Sequence, residues 1–184
     1  MVASPEETGM QNVSSTSNFE VILVAEDNDD HVVLLLRAFR KGALVNPVFV
    51  VRNGVEVVQY LRGEGKFSNR AEYPVPTLLL LDLRMPMMDG FEVLEWIRDH
   101  PVFKGLRTVV LTTSEDMRDI NRAYQLGANS FLVKPTDLDH FVRLTEAIKG
   151  HWMWLSKAPE IERSEERAPI DLPVEKSPAS TSEK

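Results

Sequence analysis

Residues suited to acid and phosphoryl chemistry stand directly after four short apolar runs of this sequence. Glu26 and Asp27 follow the first of these runs, and Asp82, Thr112 and Lys134 follow the other three. Each residue alone has an ordinary explanation, such as a helix cap, a turn hydroxyl or a solvated lysine. If the runs are parallel strands, however, their carboxyl ends meet at one edge of a sheet, where ligands bind. The combination therefore predicts one site instead of separate loop residues.

The charges of these side chains indicate what the site would bind. Two unit charges about 4 Å apart repel by roughly 4 kcal/mol at an effective dielectric constant near 20. Glu26, Asp27 and Asp82 therefore need a cation, and Mg²⁺ suits them because it takes oxygen ligands and keeps several waters. A phosphoryl group beside that ion needs a donor and a second cation, roles that suit Thr112 and Lys134. Asp82 is then the nucleophile that forms a covalent aspartyl phosphate.

The elements that would position these residues follow from the hydrophobic pattern. Apolar runs predict buried strands at Glu20–Ala25, Val48–Val51, Thr77–Leu81, Thr108–Leu111 and Ser130–Val133. Helical periodicity follows each run, at Asp30–Lys41, Gly54–Leu61, Phe91–Asp99, Met117–Leu126 and Leu138 to about Leu155. Strands that alternate with helices predict an α/β fold, a doubly wound five-stranded parallel sheet with helices on both faces.

Helical spacing also predicts which side chains of the first and last helices face the sheet. In the first helix these are Val33, Leu34, Leu36 and Phe39. In the last helix they are Leu138, Phe141, Thr145, Ile148, Trp152 and Leu155.

Composition divides the 184-residue chain into a body and two polar ends. Residues 1–18 contain no aromatic side chain, and residues 156–184 carry four prolines among Glu, Lys and Ser. Such segments bury too little apolar surface to offset the entropy lost on ordering, so we predict that both are disordered. The body, residues 19–155, is predicted to form one domain.

Charge and cysteine content argue against several function classes. The chain has 21 basic and 28 acidic residues, a net charge of −7, which disfavours a nucleic-acid surface. The absence of cysteine excludes disulfides and a thiolate nucleophile. No apolar run approaches the roughly 18 residues of a membrane span, and residues 1–12 lack the features of a secretory signal. We therefore expect a soluble cytoplasmic protein that binds neither nucleic acid nor membrane.

The spacing of the polar residues resembles a known family. The motifs are Glu26-Asp27, Asp82-Leu-Arg-Met-Pro86-x-x-Asp89-Gly90, Thr112-Thr-Ser and Lys134-Pro135. Together they resemble the receiver domain of two-component response regulators. The resemblance implies a flavodoxin-like fold with strand order 2-1-3-4-5. It also implies that Asp82 accepts a phosphoryl group from a histidine kinase or a phosphotransfer protein.

The same resemblance implies a role for each residue of the site. Mg²⁺ would be held by Glu26, Asp27 and Asp82 and by the backbone carbonyl of Arg84. Thr112 and Lys134 would contact the phosphoryl group. Glu26 stands where an aspartate is commoner, and its extra length favours contact with the metal through water.

Four further positions carry expectations from the resemblance. Phe131 falls at an aromatic switch position, although it could equally be a core aromatic of the sheet. Pro135 is expected to follow a cis peptide bond. Arg84 and Ser114 stand where dephosphorylation is often tuned, and Arg84 could shield the acyl phosphate or pair with Glu26.

Additional residues resemble the small single-domain response regulators that partner bacterial phytochromes and related sensor kinases. These are the Glu-Asp-Asn-Asp-Asp segment at 26–30, the loop at 61–67, the Leu-Thr-Thr-Ser segment at 111–114, Phe141 and Trp152. A sensor histidine kinase, in one reading a bacterial phytochrome, is therefore the expected partner.

The sequence after Leu155 predicts how the signal leaves the protein. Only 29 residues follow it, too few and too polar for a DNA-binding domain, so we expect output through protein contacts in a phosphorelay. Trp152 and Trp154 point about 200° apart on a helix, because successive residues are about 100° apart, and cannot both face the core. They either pack under loops or form an exposed patch that supports a homodimer. The downstream target is not indicated.

Two other functions share part of the pattern. A magnesium-dependent phosphohydrolase also forms an aspartyl phosphate, but it typically has an acid two residues after the nucleophile, where this chain has Arg84. A degenerate receiver that only binds partners is disfavoured by the presence of Asp82, Thr112 and Lys134. We therefore expect a phosphoacceptor signalling protein that catalyses only its own phosphorylation and dephosphorylation.

Overall fold

A computed structural model of the protein describes residues 20–150, which form a five-stranded parallel sheet and five α-helices. The strands are β1 (Ile22–Ala25), β2 (Val48–Val51), β3 (Leu78–Leu81), β4 (Arg107–Thr112) and β5 (Ser130–Val133). Their order across the sheet is β2-β1-β3-β4-β5. The predicted strand order and α/β class are therefore confirmed.

The helices are α1 (Asp29–Lys41), α2 (Gly54–Arg62), α3 (Gly90–Asp99), α4 (Met117–Gln125) and α5 (Leu138–Ile148). Each begins after an Asn or Asp whose side chain accepts a backbone N–H of the first turn. These caps are Asn28, Asn53, Asp89, Asp116 and Asp137. An N-cap oxygen satisfies an N–H that has no partner within the helix, so the caps fix where each helix starts. Among residues 20–150, no helix has the length and apolar character that a bilayer crossing requires.

Alternating side chains of the strands build two hydrophobic cores, one on each face of the sheet. Leu23, Leu79 and Val110 pack on one face with residues of α2, α3 and α4. Their strand neighbours Ile22 and Leu78 pack on the other face with residues of α1 and α5. Because successive strand residues point to opposite faces, apolar residues at every central position require helices on both sides. The edge strands β2 and β5 are less buried.

The predicted inward face of α1 is partly wrong. The buried residues are Val32, Leu35, Ala38 and Phe39, whereas Val33 is 47% exposed. Residues 32–36 are all apolar, so hydrophobicity alone does not set the rotation of this helix. In α5, Phe141, Thr145 and Ile148 are buried as predicted.

Several predictions concern residues that the structure does not describe. The segments 1–18 and 156–184 lie outside residues 20–150, and so do Trp152, Trp154 and Leu155.

Candidate functional site

Two acidic residues at the carboxyl edge of the sheet are brought together by strand pairing. Glu26 follows β1 and Asp82 follows β3, and the last residues of these strands, Ala25 and Leu81, are paired in register. The Asp82 N–H donates to the carbonyl oxygen of Ala25 at 3.0 Å, which extends the pairing by one step. Both acidic side chains are buried, whereas the neighbouring Asp27 is exposed. Carboxylate oxygens of Glu26, Asp27 and Asp82 lie within 4.8 Å of one another.

Lys134 is the cation of this group. Its Nζ lies 2.6 Å from Glu26 Oε2 and 2.6 Å from Asp82 Oδ2, and its side chain is only 3% exposed. The backbone places it there because Lys134 follows β5 and its N–H donates to the carbonyl oxygen of Thr112, at the end of β4, at 2.7 Å. One ammonium therefore contacts two carboxylates of a group of three within the described residues.

Thr112 closes the site on the β4 side. It is the last residue of β4 and is fully buried. Its Oγ1 accepts the backbone N–H of Ser114 at 3.4 Å. The Ser114 hydroxyl in turn donates to Asp119 Oδ2 of α4 at 2.6 Å. The strand ends thus bring together the predicted residues Glu26, Asp27, Asp82, Thr112 and Lys134.

The loop after Asp82 is held close to the sheet by Gly90. A Cβ atom at Gly90 would lie 2.3 Å from the carbonyl oxygen of Asp82 and 2.8 Å from the Cα of Leu83, so only glycine fits. Within this loop Met87 has a φ of 69°, in the left-handed region that side chains other than glycine rarely adopt. Asp89 and Glu92 form a reciprocal capping box that starts α3. The Asp-Gly of the motif is therefore a structural requirement of this tight connection.

Arg84 contributes its backbone and its side chain in different directions. Its N–H donates to Asp82 Oδ1 at 3.3 Å, so the main chain at this position borders the acidic group. Its guanidinium pairs with Asp119 Oδ2 at 3.0 Å. The side chain therefore pairs with Asp119 of α4. The expected pairing of Arg84 with Glu26, one of two alternatives, is not found in the structure.

His31 is a residue of the site that the sequence analysis did not assign. It lies in the first turn of α1, with Nδ1 3.1 Å from Glu26 Oε1 and 3.4 Å from Lys134 Nζ. With Lys134 on Oε2, both carboxylate oxygens of Glu26 have partners. A histidine five residues after an acid carries no signal in the sequence, because the contact depends on how α1 leaves β1.

The N-terminus of α4 adds a second charged group near Ser114. Asp116 caps the helix and accepts hydrogen bonds from the side chain and the backbone of Arg118. These hydrogen bonds lower the pKa of Asp116 to about 2. Asp116 is therefore ionised throughout the neutral range, as a carboxylate at a helix N-terminus should be.

Two further expectations have different outcomes. Residues 20–150 contain no cis peptide bond, and the bond before Pro135 is accordingly trans. The expectation of a cis bond there is wrong. The trans form is the lower in free energy for most X–Pro bonds. Phe131 is partly buried against the core on the α2, α3 and α4 face, which fits both a switch and a plain core aromatic.

The acidic group fits a hard divalent cation. Its donors are carboxylate oxygens, the ligand type that Mg²⁺ and Mn²⁺ prefer. Two of the three carboxylates are buried, and one ammonium does not neutralise the group. A divalent ion would remove that imbalance.

The chain is similar to known proteins along most of its described part. A comparison with protein families matches residues 22–147 to the response regulator receiver domain. The probable methanogenesis regulatory protein FilR2 of Methanothrix harundinacea is 36% identical over 142 residues, 76% of this chain and 87% of FilR2. Response regulator Rcp1 of Synechocystis is 31% identical over 134 residues, 73% of this chain and 89% of Rcp1.

Solved structures agree with this relation. The Mn²⁺-bound form of Rcp1 has a TM-score of 0.68 and 31% identity, covering 76% of this chain and 99% of that one. The phosphorylated cyanobacterial phytochrome response regulator RcpA has a TM-score of 0.70 and 34% identity, covering 76% of this chain and 98% of that one. The fold, the strand-end residues and these similarities lead to one conclusion: this chain belongs to the response regulator receiver domain family and is similar to its phytochrome-type members.

Proposed function

We propose that this protein is a phosphoryl acceptor in which Asp82 receives the phosphoryl group of a histidine kinase or a phosphotransfer protein, with Mg²⁺ bound beside it. The observation that supports this best is the bridge that Lys134 forms between the buried carboxylates of Glu26 and Asp82, at 2.6 Å from each. A structural ion pair needs one carboxylate, whereas this lysine faces two, with Asp27 close by. The excess negative charge marks a place for a cation.

The covalent step uses groups that the structure brings together. A carboxylate oxygen of Asp82 attacks the phosphorus of the donor and forms an O–P bond. The bond between phosphorus and the donor's leaving atom breaks, and its electron pair stays on that atom, a ring nitrogen when the donor is a phosphohistidine. Lys134 stays beside Asp82 and neutralises the phosphoryl oxygens, and the Thr112 hydroxyl donates to one of them.

The residues proposed to hold the metal are Glu26, Asp27, Asp82 and the backbone carbonyl of Arg84. When bound, Mg²⁺ would neutralise the acidic group and polarise the phosphoryl oxygens for transfer. Asp27 is exposed and available, whereas both oxygens of Glu26 already accept contacts from Lys134 and His31. Glu26 is therefore proposed to reach the ion through water, which Mg²⁺ retains readily.

Phosphoryl transfer to Asp82 is tested by intact mass. The protein is incubated with Mg²⁺ and acetyl phosphate, and we expect the mass of one phosphoryl group to be added. Asp82→Asn should gain none, whereas Asp116→Asn, which changes an acid outside the site, should gain as much as the wild type. A wild type without an adduct at any Mg²⁺ concentration contradicts the proposal and favours a binding-only receiver. Steady release of phosphate from small phosphoesters would instead indicate a phosphohydrolase.

The proposed partner is a sensor kinase of the phytochrome type, within a cytoplasmic phosphorelay. Its support is the similarity to Rcp1 and to the phytochrome response regulator RcpA. Transfer from a phosphorylated phytochrome-type kinase should be faster than transfer from an unrelated histidine kinase of equal phosphorylation. Equal rates would remove the phytochrome link and leave the receiver function intact.

We also propose that the folded unit spans residues 19–155 and that residues 151–155 support a homodimer. The support is the sequence alone, because Trp152 and Trp154 cannot share one helix face. Sedimentation of the wild type should show a dimer that Trp154→Ala weakens. A wild-type monomer at high concentration, or a variant that sediments like the wild type, contradicts the homodimer.

A further inference from the structure

Asp119 of α4 joins the two loops that leave the site. Its Oδ2 accepts the Arg84 guanidinium at 3.0 Å and the Ser114 hydroxyl at 2.6 Å. Arg84 lies two residues after Asp82 and Ser114 two residues after Thr112. The backbone N–H of Arg84 bonds the Asp82 carboxylate, and that of Ser114 bonds the Thr112 hydroxyl. One carboxylate oxygen outside the acidic group thus contacts both Arg84, whose N–H bonds Asp82, and Ser114, whose N–H bonds Thr112.

The Arg84 guanidinium is held weakly enough to change partners. The Asp119 side chain is 17% exposed but that of Arg84 is 68% exposed, so solvent screens the pair at the guanidinium and reduces its contribution to stability. A phosphoryl group on Asp82 adds negatively charged oxygens two residues from Arg84, and guanidinium groups bind such oxygens strongly. Asp119 and the phosphoryl group are therefore competing acceptors for the same cation.

The acceptor that Arg84 contacts, Asp119 or the phosphoryl group, affects how fast the phosphoryl group is hydrolysed from Asp82. In hydrolysis a water oxygen attacks phosphorus, the bond from phosphorus to the Asp82 oxygen breaks, and its electron pair returns to the carboxylate. The water gives up its proton to solvent, and inorganic phosphate leaves. A guanidinium on the phosphoryl oxygens obstructs the approach of that water, whereas a guanidinium paired with Asp119 does not.

We propose that Asp119 is a positioning residue that draws Arg84 away from the phosphoryl group and so shortens the lifetime of the aspartyl phosphate. The inference rests on the proposed function, because it presupposes an adduct on Asp82. It also assigns to α4 an indirect influence on the reacting centre. Asp119 touches no reacting atom, and its whole effect passes through Arg84.

The test measures the half-life of the adduct after acetyl phosphate is removed, with Mg²⁺ present. Asp119→Asn keeps an oxygen that accepts the Ser114 hydroxyl but removes the charge that pairs Arg84. We expect its half-life to be longer by a factor of about two to five, the range that a solvent-screened ion pair supplies. Glu95→Gln is the matched control. Glu95 also pairs with an arginine of α4, Arg122, at an N–O distance of 3.2 Å, and this pair includes no residue of the site. The half-life of Glu95→Gln should equal that of the wild type.

A double variant separates positioning from a general effect on the fold. In an Arg84→Ala background, Asp119→Asn should leave the half-life unchanged, because the guanidinium that it releases is missing. A longer half-life in both backgrounds overturns the inference, and so does an equal or shorter half-life of Asp119→Asn alone. In all three cases the adduct still forms and the proposed function stands. A wild type that forms no adduct overturns both.

Discussion

Buried charge lies at both edges of the sheet, but the balance between cations and carboxylates differs between them. At the amino edge, before β1 and at the start of β4, Arg107 meets Glu20 at 2.7 Å and also donates to the carbonyl oxygen of Thr77. At the carboxyl edge, Lys134 contacts the carboxylates of Glu26 and Asp82, and a carboxylate oxygen of Asp27 lies within 4.8 Å of one from each. The two edges belong to the same strands and are built by the same pairing.

The difference teaches which buried charges point to a ligand. Among the described residues, Glu20 and Arg107 balance each other in charge, although Oε2 of Glu20 is buried there without a hydrogen-bond partner, and we expect this pair to affect stability alone. An excess of like charge raises the free energy of the folded state unless something else supplies the opposite charge. Divalent cations should therefore change the contribution of the carboxyl edge to the stability of the fold, whereas they should not change the contribution of the amino edge. Three substitutions test this contrast.

The largest effect is expected for Lys134→Met. The substitution leaves two buried carboxylates without their shared cation, which should lower the free energy of unfolding of the metal-free protein by about 3–5 kcal/mol. Mg²⁺ should restore part of the loss, because it supplies positive charge at the same place. Urea unfolding with and without Mg²⁺ measures both effects. If Mg²⁺ stabilises the variant no more than it stabilises the wild type, the carboxyl edge is not the metal site.

The next effect is expected for Arg107→Met at the amino edge. The Glu20 carboxylate loses its partner but is 19% exposed, so we expect a loss of about 3 kcal/mol, the lower end for a broken buried pair. Mg²⁺ should not restore this loss. Recovery of the variant in Mg²⁺ to the same degree as Lys134→Met would show that the ion stabilises the fold in general.

A smaller effect of opposite sign is expected for Asp27→Asn. Removing one of three mutually repelling carboxylates should raise the free energy of unfolding of the metal-free protein by up to about 1 kcal/mol, because Asp27 is exposed and its repulsion is screened. The same variant should bind Mg²⁺ more weakly. Asp30→Asn, which changes an exposed acid of the first turn of α1, should do neither. A lower melting temperature for Asp27→Asn would mean that Asp27 is structurally paired.

The positions of the candidate site residues follow from the sequence more directly than the contacts around them do. Glu26, Asp82 and Lys134 each follow a strand and Thr112 ends one, and parallel pairing brings strand ends together whatever the helices do. Strands β2 and β5 have the predicted bounds, because Gly, Pro and polar residues flank short apolar runs there. The strand order entered through the resemblance, since alternation of strands and helices permits other orders.

The remaining contacts depend on how whole helices are placed. The rotation of α1 decides that Val32 and not Val33 is buried, and its direction brings His31 to Glu26. Asp119 meets Arg84 from a position 35 residues later in the chain. No local pattern specifies such a contact, because it depends on the distance between α4 and the loop after β3.

The smallest effect is expected for Glu56 of α2, a carboxylate that has cationic and N–H partners and is not part of the group of Glu26, Asp27 and Asp82. Burial acts to raise its pKa, but hydrogen bonds from the Lys66 side chain and the Arg52 N–H outweigh burial and lower the pKa below its usual 4.5. A carboxylate whose pKa is lower in the folded state contributes stability above its unfolded pKa, and that contribution fades as the pH falls through the folded pKa.

Glu56→Gln should therefore be less stable than the wild type near neutral pH, and the difference should shrink as the pH drops below about 4.5. Urea midpoints of both proteins between about pH 7 and pH 3, with and without Mg²⁺, measure the difference, in which titration of the acidic site cancels because both proteins carry it. Lys66→Met should reduce the difference at neutral pH, because it removes the stronger partner. A difference that stays constant with pH would mean that the amide disturbs packing and that the charge of Glu56 is irrelevant. If the stability difference between Glu56→Gln and the wild type instead changes with Mg²⁺, then Glu56 is coupled to the metal site, and the contrast between paired carboxylates and the acidic group fails.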